Sequence, residues 1–117
     1  MSAFQNSRPL KSRIYESKKF MQIYPERVPI ICEKLENFIN YAPKIDKNKY
    51  LVPRDMTLGQ FVYVIKKRLN LTPDKAIFLF INGAVLKFAA KIGSIYEIYK
   101  HDDGFLYVNY SFENTFG

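Results

Sequence analysis

The side chains with the greatest chemical potential in this sequence are few: one cysteine, Cys32, one histidine, His101, and the adjacent carboxylates Asp102 and Asp103. A nucleophile needs a base within hydrogen-bond reach and a structural zinc site needs four ligands, so one thiol and one imidazole supply neither chemistry. Cys32 lies in the alternating run Val28-Pro29-Ile30-Ile31-Cys32-Glu33, on the side shared with Val28 and Ile30, which predicts a buried, inert thiol. His101-Asp102-Asp103-Gly104 has the composition of a turn, a simpler reading than a metal pair. No CxxC, HExxH, glycine-rich phosphate loop or serine-nucleophile motif occurs. The expectation is a protein without catalytic residues, metal or cofactor. Its remaining chemistry is that of binding, carried by lysines and aromatic residues at regular spacing.

Those residues must be positioned by a small fold. A chain of 117 residues predicts one domain, and 48% apolar residues with ten Phe and nine Tyr against 25% charged predict a globular one. The longest weakly polar stretch, Ile77 to Leu86, is broken by Asn82-Gly83 and falls short of the ~18 residues a membrane span needs. The first ten residues contain no apolar segment of the kind that opens a secretory signal, and one cysteine cannot form an internal disulfide, so a cytosolic or nuclear placement is expected. Residues 1–70 hold 14 Lys/Arg against six Asp/Glu, and residues 71–117 hold four against five. A basic first half attracts nucleic acid, anionic lipid or acidic protein alike, and a solvated surface explains it equally well.

Along the chain, Leu10, Ile14, Met21 and Tyr24 share one helical stripe with Arg13, Lys18 and Lys19 outside it, predicting a basic amphipathic helix ended by Pro25. Glu16, Phe20 and Ile23 form a second ridge on that helix, free to face something other than the main core. The run from Val28 to Glu33 predicts a strand covered on both faces. A polar stretch from Glu36 to Asn48 predicts a long loop, and Lys49-Tyr50-Leu51-Val52-Pro53 a short strand whose proline suits a sheet edge. Thr57-Leu58-Gly59-Gln60 has capping-box spacing, and Leu58, Phe61, Val62, Ile65 and Leu69 continue the helix to about Asn70. A strand over Ile77 to Ile81 closes in the Asn82-Gly83 turn, a short helix spans Ile92 to Tyr99, and Phe105 to Tyr110 is the last strand. Helix, strand, strand, helix, strand, short helix, strand predicts an α+β, ubiquitin-like β-grasp: a four-stranded mixed sheet with a crossing helix, plus an N-terminal helical extension. The expected divisions are an extension over 1–26, a ubiquitin-like domain over 27–111 and a tail over 112–117.

Four segments carry a family resemblance: Tyr24-Pro25-Glu26-Arg27-Val28-Pro29-Ile30-Ile31-Cys32-Glu33-Lys34, Asp46-Lys47-Asn48-Lys49-Tyr50-Leu51-Val52-Pro53, Gly59-Gln60-Phe61-Val62-Tyr63 and Glu113-Asn114-Thr115-Phe116-Gly117. From about Pro9 to Gly117 the chain resembles the autophagy ubiquitin-like modifiers, the family of light chain 3 and GABARAP. The resemblance implies conjugation through Gly117 to phosphatidylethanolamine on autophagosomal membranes, with recruitment of cargo receptors and autophagy machinery. It also implies partners: an activating and a conjugating enzyme that hold the catalytic cysteines, and a cysteine protease that processes and delipidates. Such a protein divides between the cytoplasm and, once lipidated, autophagosome and other vesicle membranes. A glycine suits the chemistry, because a residue without a side chain threads a narrow enzyme channel.

A docking groove for motifs with an aromatic residue followed three positions later by Leu, Ile or Val is implied as well. Residue reading and resemblance meet there, since an edge strand over 49–53 can accept an added peptide strand. By resemblance the aromatic anchor enters a pocket of Glu16, Phe20, Pro29, Ile31, Lys49, Leu51 and Phe105. The aliphatic anchor enters one of Tyr50, Val52, Pro53, Met56, Phe61 and Val64, and Arg27, Lys47, Lys66 and Lys67 would attract acidic flanks. Departures include a longer loop between Lys34 and Asp46 than in GABARAP-type members, and Leu86-Lys87 where many relatives carry paired prolines. Phe20 stands where smaller aliphatics are common, which predicts a shallower aromatic pocket. Two rivals remain at this stage. Nucleic-acid binding would show steep salt dependence, and a never-lipidated trafficking or microtubule adaptor would dock its helix from Lys11 to Tyr24 on acidic tubulin tails.

Overall fold

The computed structural model describes residues 2–36 and 41–112. In chain order the elements are α1 (Ala3–Ser7), α2 (Leu10–Ile23), β1 (Arg27–Lys34), β2 (Lys49–Pro53), α3 (Leu58–Arg68), β3 (Phe78–Ile81), β4 (Ala84–Val85), α4 (Ile92–Tyr99) and β5 (Leu106–Ser111). The sheet runs β2-β1-β5-β3-β4, with β1 and β5 parallel and every other neighbouring pair antiparallel. This is the expected ubiquitin-like α+β arrangement, with one strand more than the four anticipated. The addition is β4, a two-residue return from the Asn82-Gly83 turn, whose residues take φ of 51° and 76°. Both values are positive, the combination a two-residue hairpin turn of this type requires.

The sheet is buried on both faces, and the alternation in β1 decides which residue serves which. Val28, Ile30 and Cys32 enter the main core with Phe61, Val62 and Ile65 of α3 and Ile92, Ile95 and Tyr96 of α4. Ile31 points the other way, into a second cluster with Phe4 and Phe105 on which Phe20 and Tyr107 pack. The capping box at α3 is reciprocal: the Gln60 N–H donates to Thr57 Oγ1 at 3.1 Å and the Thr57 N–H to Gln60 Oε1 at 2.9 Å. The helix closes at Arg68, two residues before Asn70 with its left-handed φ of 58°.

Two expectations about the N-terminal region are corrected. A short helix, α1, precedes α2 and was not foreseen, although Ser2 and Gln5 form a second capping box with the same spacing as Thr57 and Gln60. The buried stripe of α2 also differs: Arg13 and Ser17 are its buried residues, whereas Leu10 and Tyr24 are 47% and 45% exposed. The cause lies in the turn before β5, where Asp103 is wholly buried and receives Arg13 Nη1 at 2.6 Å. Asp102-Asp103 does form the expected turn, but its second carboxylate is an anchor for α2. Gly104 permits the close approach, since its φ is 90° and a Cβ there would stand 2.3 Å from Ser17 Oγ.

Thr57→Ala removes the acceptor for the Gln60 N–H without disturbing the core. It should lower stability by about 1 kcal/mol, read as a reduced urea midpoint with unchanged denaturant slope.

Candidate functional site

The groove expected between α2 and β2 is built outward from β1. Prolines fix its hydrogen-bonding sense: Pro29 pairs with Leu51 and Arg27 with Pro53, so positions lacking an N–H cannot be the bonded pairs. The reciprocal bonds therefore fall at Val28–Val52 and Ile30–Tyr50, in phase with Cys32 N–H to Asn48 O at 2.7 Å and Arg54 N–H to Glu26 O at 3.1 Å. Lys49 and Leu51 consequently aim their backbone N–H and C=O groups away from β1, at the open edge of the sheet. The sequence expectation of an edge strand with free polar groups is met at these two residues, with one qualification. Arg27 Nη1 donates to the Leu51 carbonyl at 3.1 Å, so Arg27 caps the edge instead of standing beside it.

Side-chain alternation in β2 separates the two pocket sets. Tyr50 and Val52 turn into the main core, where Tyr50 meets Phe61 edge to face with ring centroids 5.7 Å apart. Met56 and Val64 pack against this cluster and remain half-buried, as does Pro53. On the opposite face, Lys49 and Leu51 are half-buried beside Phe20, while Pro29, Ile31 and Phe105 are buried. The residues named from the sequence thus sort by face, Tyr50, Val52 and Phe61 to the main core with Met56 and Val64 packed on it, and Glu16, Phe20, Ile31, Lys49 and Phe105 to the α2 side.

The aromatic side differs from a plain apolar pocket. Glu16 accepts from Lys49 Nζ at 2.5 Å and from Arg8 Nη1 at 3.1 Å, so the Lys49 charge is already paired. Lys49 Nζ also stands 5.1 Å from the Phe4 ring centroid and 6.0 Å from that of Phe20. Phe4 covers Ile31 and Phe105, both of which have no exposed surface. Among the flanking cations, Lys47 lies over the Tyr50 ring at 5.2 Å, with the Tyr50 hydroxyl donating to the Lys47 carbonyl at 2.7 Å. Lys66 and Lys67 occupy the last turn of α3, Lys66 bonded to the Pro73 carbonyl and Lys67 over the Tyr63 ring. Gly117, with the rest of the terminal motif from Glu113, lies outside the described residues, as does part of the loop from Glu36 to Asn48.

Sequence reasoning missed Phe4, Arg8 and the anchor that holds α2 over the groove. At that anchor Asp103 takes Arg13 through Oδ2, the Tyr107 hydroxyl through the same oxygen and the Phe105 N–H through Oδ1, while its carbonyl accepts from Ser17 Oγ at 2.6 Å. Burial alone would lower the Arg13 pKa, yet the hydrogen bonds to Asp103 and Tyr107 outweigh it and the guanidinium is held more firmly charged than usual. Desolvation and then the Asp103 carboxylate push the Tyr107 phenol up. Cys32 is wholly buried, as expected, and desolvation raises its thiol pKa, which disfavours the thiolate. No cluster of three or more His, Cys, Asp or Glu able to hold a metal occurs among the described residues.

Comparison with known proteins bears on the chain as a whole. A family model described as autophagy protein Atg8, ubiquitin like, matches residues 12–117. Autophagy-related protein 8 of Mycosarcoma maydis is 53% identical over 116 residues, covering 99% of this chain and 97% of that protein. The Candida albicans protein of the same name is 53% identical across 99% of this chain and 84% of its own length. Among solved structures, Trypanosoma brucei ATG8 superposes with a TM-score of 0.90 at 41% identity, covering 95% of this chain and 94% of that one. Plasmodium falciparum Atg8, solved in complex with a Plasmodium falciparum Atg3 peptide, superposes with a TM-score of 0.85 at 31% identity over 97% and 98% of the two chains.

Arg13→Ala strips a wholly buried carboxylate of its cation and should lower unfolding stability by about 3 to 5 kcal/mol. Adding Asp103→Asn to that variant should restore part of the loss, as measured by urea denaturation of both.

Proposed function

The chain belongs to the Atg8 family of ubiquitin-like autophagy proteins, and from that premise we propose that it is conjugated through Gly117 to phosphatidylethanolamine and docks linear motifs along β2. Its role as an autophagy ubiquitin-like modifier follows from the family. The lipid, the acceptor residue and the motif class are the finer reading. On this reading residues 1–26 form a helical extension, 27–111 the ubiquitin-like body and 112–117 the conjugation tail. The observation that carries the docking half is the open edge at Lys49 and Leu51, with aromatic residues on one face of the strand and aliphatic ones on the other. A peptide adding as a further strand gains main-chain bonds from that edge, and its alternate side chains fall to the two sides. Two small pockets and a few strand bonds suit an affinity near ~1 μM, about −8 kcal/mol, once the ordering of the peptide has been offset.

The conjugation half rests on the terminal motif Glu113-Asn114-Thr115-Phe116-Gly117, which falls within the family match. Activation of a C-terminal carboxylate and its passage as a thioester place the catalytic cysteines in the activating and conjugating enzymes, and the proposed role for this chain is that of the group transferred. Motif-bearing cargo receptors and a delipidating cysteine protease complete the partner set. The lipid anchor is proposed to move the protein between the cytoplasm and autophagosome membranes. No helix among the described residues is long and apolar enough to cross a bilayer by itself.

Intact mass of the protein from the membrane pellet of its native cells under autophagy-inducing conditions should show an increment matching phosphatidylethanolamine, mapped to Gly117 and absent from Gly117→Ala. A pellet form with no adduct would instead favour an adaptor that is never conjugated. For the groove, Leu51→Ala should weaken a Trp-x-x-Leu peptide by about fivefold or more by fluorescence anisotropy. Wild-type affinity should change only modestly between 50 and 200 mM salt, where a phosphate binder would lose roughly a thousandfold or more.

A further inference from the structure

The aromatic side of the groove already contains an aromatic ring from this same chain. Phe4 is 6% exposed and lies edge to face on Phe105, with centroids 5.1 Å apart. It packs in one cluster with Ile31, Phe105 and Phe20, and the Lys49 ammonium lies over its ring at 5.1 Å. Four of the seven residues assigned to the aromatic pocket therefore surround Phe4, and the two deepest, Ile31 and Phe105, keep no surface for an incoming group.

The contacts that seat this ring are separable from the main core. The Ser2–Gln5 capping box forms α1, and the Phe4 N–H donates to Glu33 Oε2 at 3.2 Å. The Arg8 guanidinium also lies over the Phe4 ring, 5.5 Å from its centroid, and is tied to Glu16, which in turn holds Lys49. An aromatic ring is thus framed by two cations that share one carboxylate.

We propose that Phe4 is an internal ligand of the aromatic pocket, latched by the Arg8–Glu16–Lys49 relay, and that an incoming motif must displace it. The proposal rests on the groove reading above and concerns the regulation of that site. It selects a class of partner: a motif whose aromatic residue is larger than Phe and is preceded by acidic residues. The larger ring covers more apolar surface than Phe4 does, and the acids substitute for Glu16 on Lys49 and Arg8 as the latch opens. Every motif binds with an affinity reduced by the fraction of molecules in which the pocket is vacant, and one lacking either feature gains nothing to offset that loss.

The test is a fluorescein-labelled peptide carrying three aspartates before Trp-x-x-Leu, titrated by anisotropy into the full chain and three variants. Phe4→Ala should bind about threefold or more tightly than wild type, because the pocket is then always vacant. The double variant Ser2→Ala with Gln5→Ala keeps Phe4 but weakens α1, and should shift affinity in the same direction. In the wild-type protein, saturating peptide should accelerate hydrogen exchange at the amides of Phe4 and Asn6, which now donate to Glu33 and to the Ser2 carbonyl. Tighter binding by both variants with faster exchange supports displacement. Equal or weaker binding by Phe4→Ala, or α1 amides that stay protected while peptide is bound, makes Phe4 a fixed wall and overturns the proposal. Leu51→Ala separates this from failure of the groove itself: if the peptide binds equally well to that variant, the groove reading falls and takes the proposal with it.

Discussion

A single buried charge pair, Arg13 with Asp103, sets the position of α2 on the sheet, and the residues proposed to line the groove depend on that position. Leu10, Tyr15 and Ile23 of α2 are all substantially exposed, and its inward apolar contacts include the half-buried Phe20 and Met21, while its buried residues are Arg13 and Ser17. Its guanidinium reaches through to a carboxylate with no solvent contact, in a turn where the neighbouring hydroxyl and amide groups occupy the remaining lone pairs. Buried pairs of this kind add little net stability over apolar replacements, but leaving one member unpaired is costly. The result is a contact that is demanding about geometry: Ser17 must meet the Asp103 carbonyl, and residue 104 must lack a side chain. With α2 fixed in that register, Glu16 and Phe20 come to stand over β2.

A second constraint acts within the sheet. Pro29 and Pro53 lie two pairs apart along one antiparallel ladder, and each removes a donor from the same alternating set of pairs. The ladder is left with one phase of bonding, and the other phase of β2 points outward. The same alternation sends Tyr50 and Val52 into the main core and keeps Lys49 and Leu51 on the α2 side. Backbone polarity and side-chain sorting are thus fixed together by two imino acids, and the groove gains an edge to pair with and two differently lined flanks.

Much of this was legible in the sequence wherever a local rule coincided with the tertiary outcome. The strand alternation in Val28 to Glu33, the Thr57–Gln60 capping box, the Asn82-Gly83 turn and the edge placement of residues 49–53 each follow from short-range sterics and hydrogen bonding, and each is found. The α2 stripe held at Met21, which packs on the main core, and failed at Leu10 and Tyr24 because periodicity ranks Arg13 as solvent-facing, and no pattern near Arg13 reveals a carboxylate ninety positions away. Asp103 was read as half of a turn for the same reason. The first helix was a different kind of miss: Ser2 and Gln5 carry a readable capping signal, but five residues of helix show too little periodicity to draw notice. Phe4 therefore had no assigned place, and the depth of the aromatic pocket could not be judged from the pocket residues alone.

The burial of Cys32 has a bearing on chemistry that takes place elsewhere. A chain carried as an acyl group between the cysteines of successive enzymes is, in the proposed scheme, repeatedly an activated thioester in the presence of other sulfur nucleophiles. An accessible thiolate on the carried chain would be one more acceptor, able to capture the acyl group of a neighbouring copy and divert it into an unproductive adduct. Packed beneath α3 with no solvent contact and with its ionisation suppressed by desolvation, this thiol is silent toward such exchange. In that proposed scheme, the side chain that first invites a catalytic reading would contribute by its inertness.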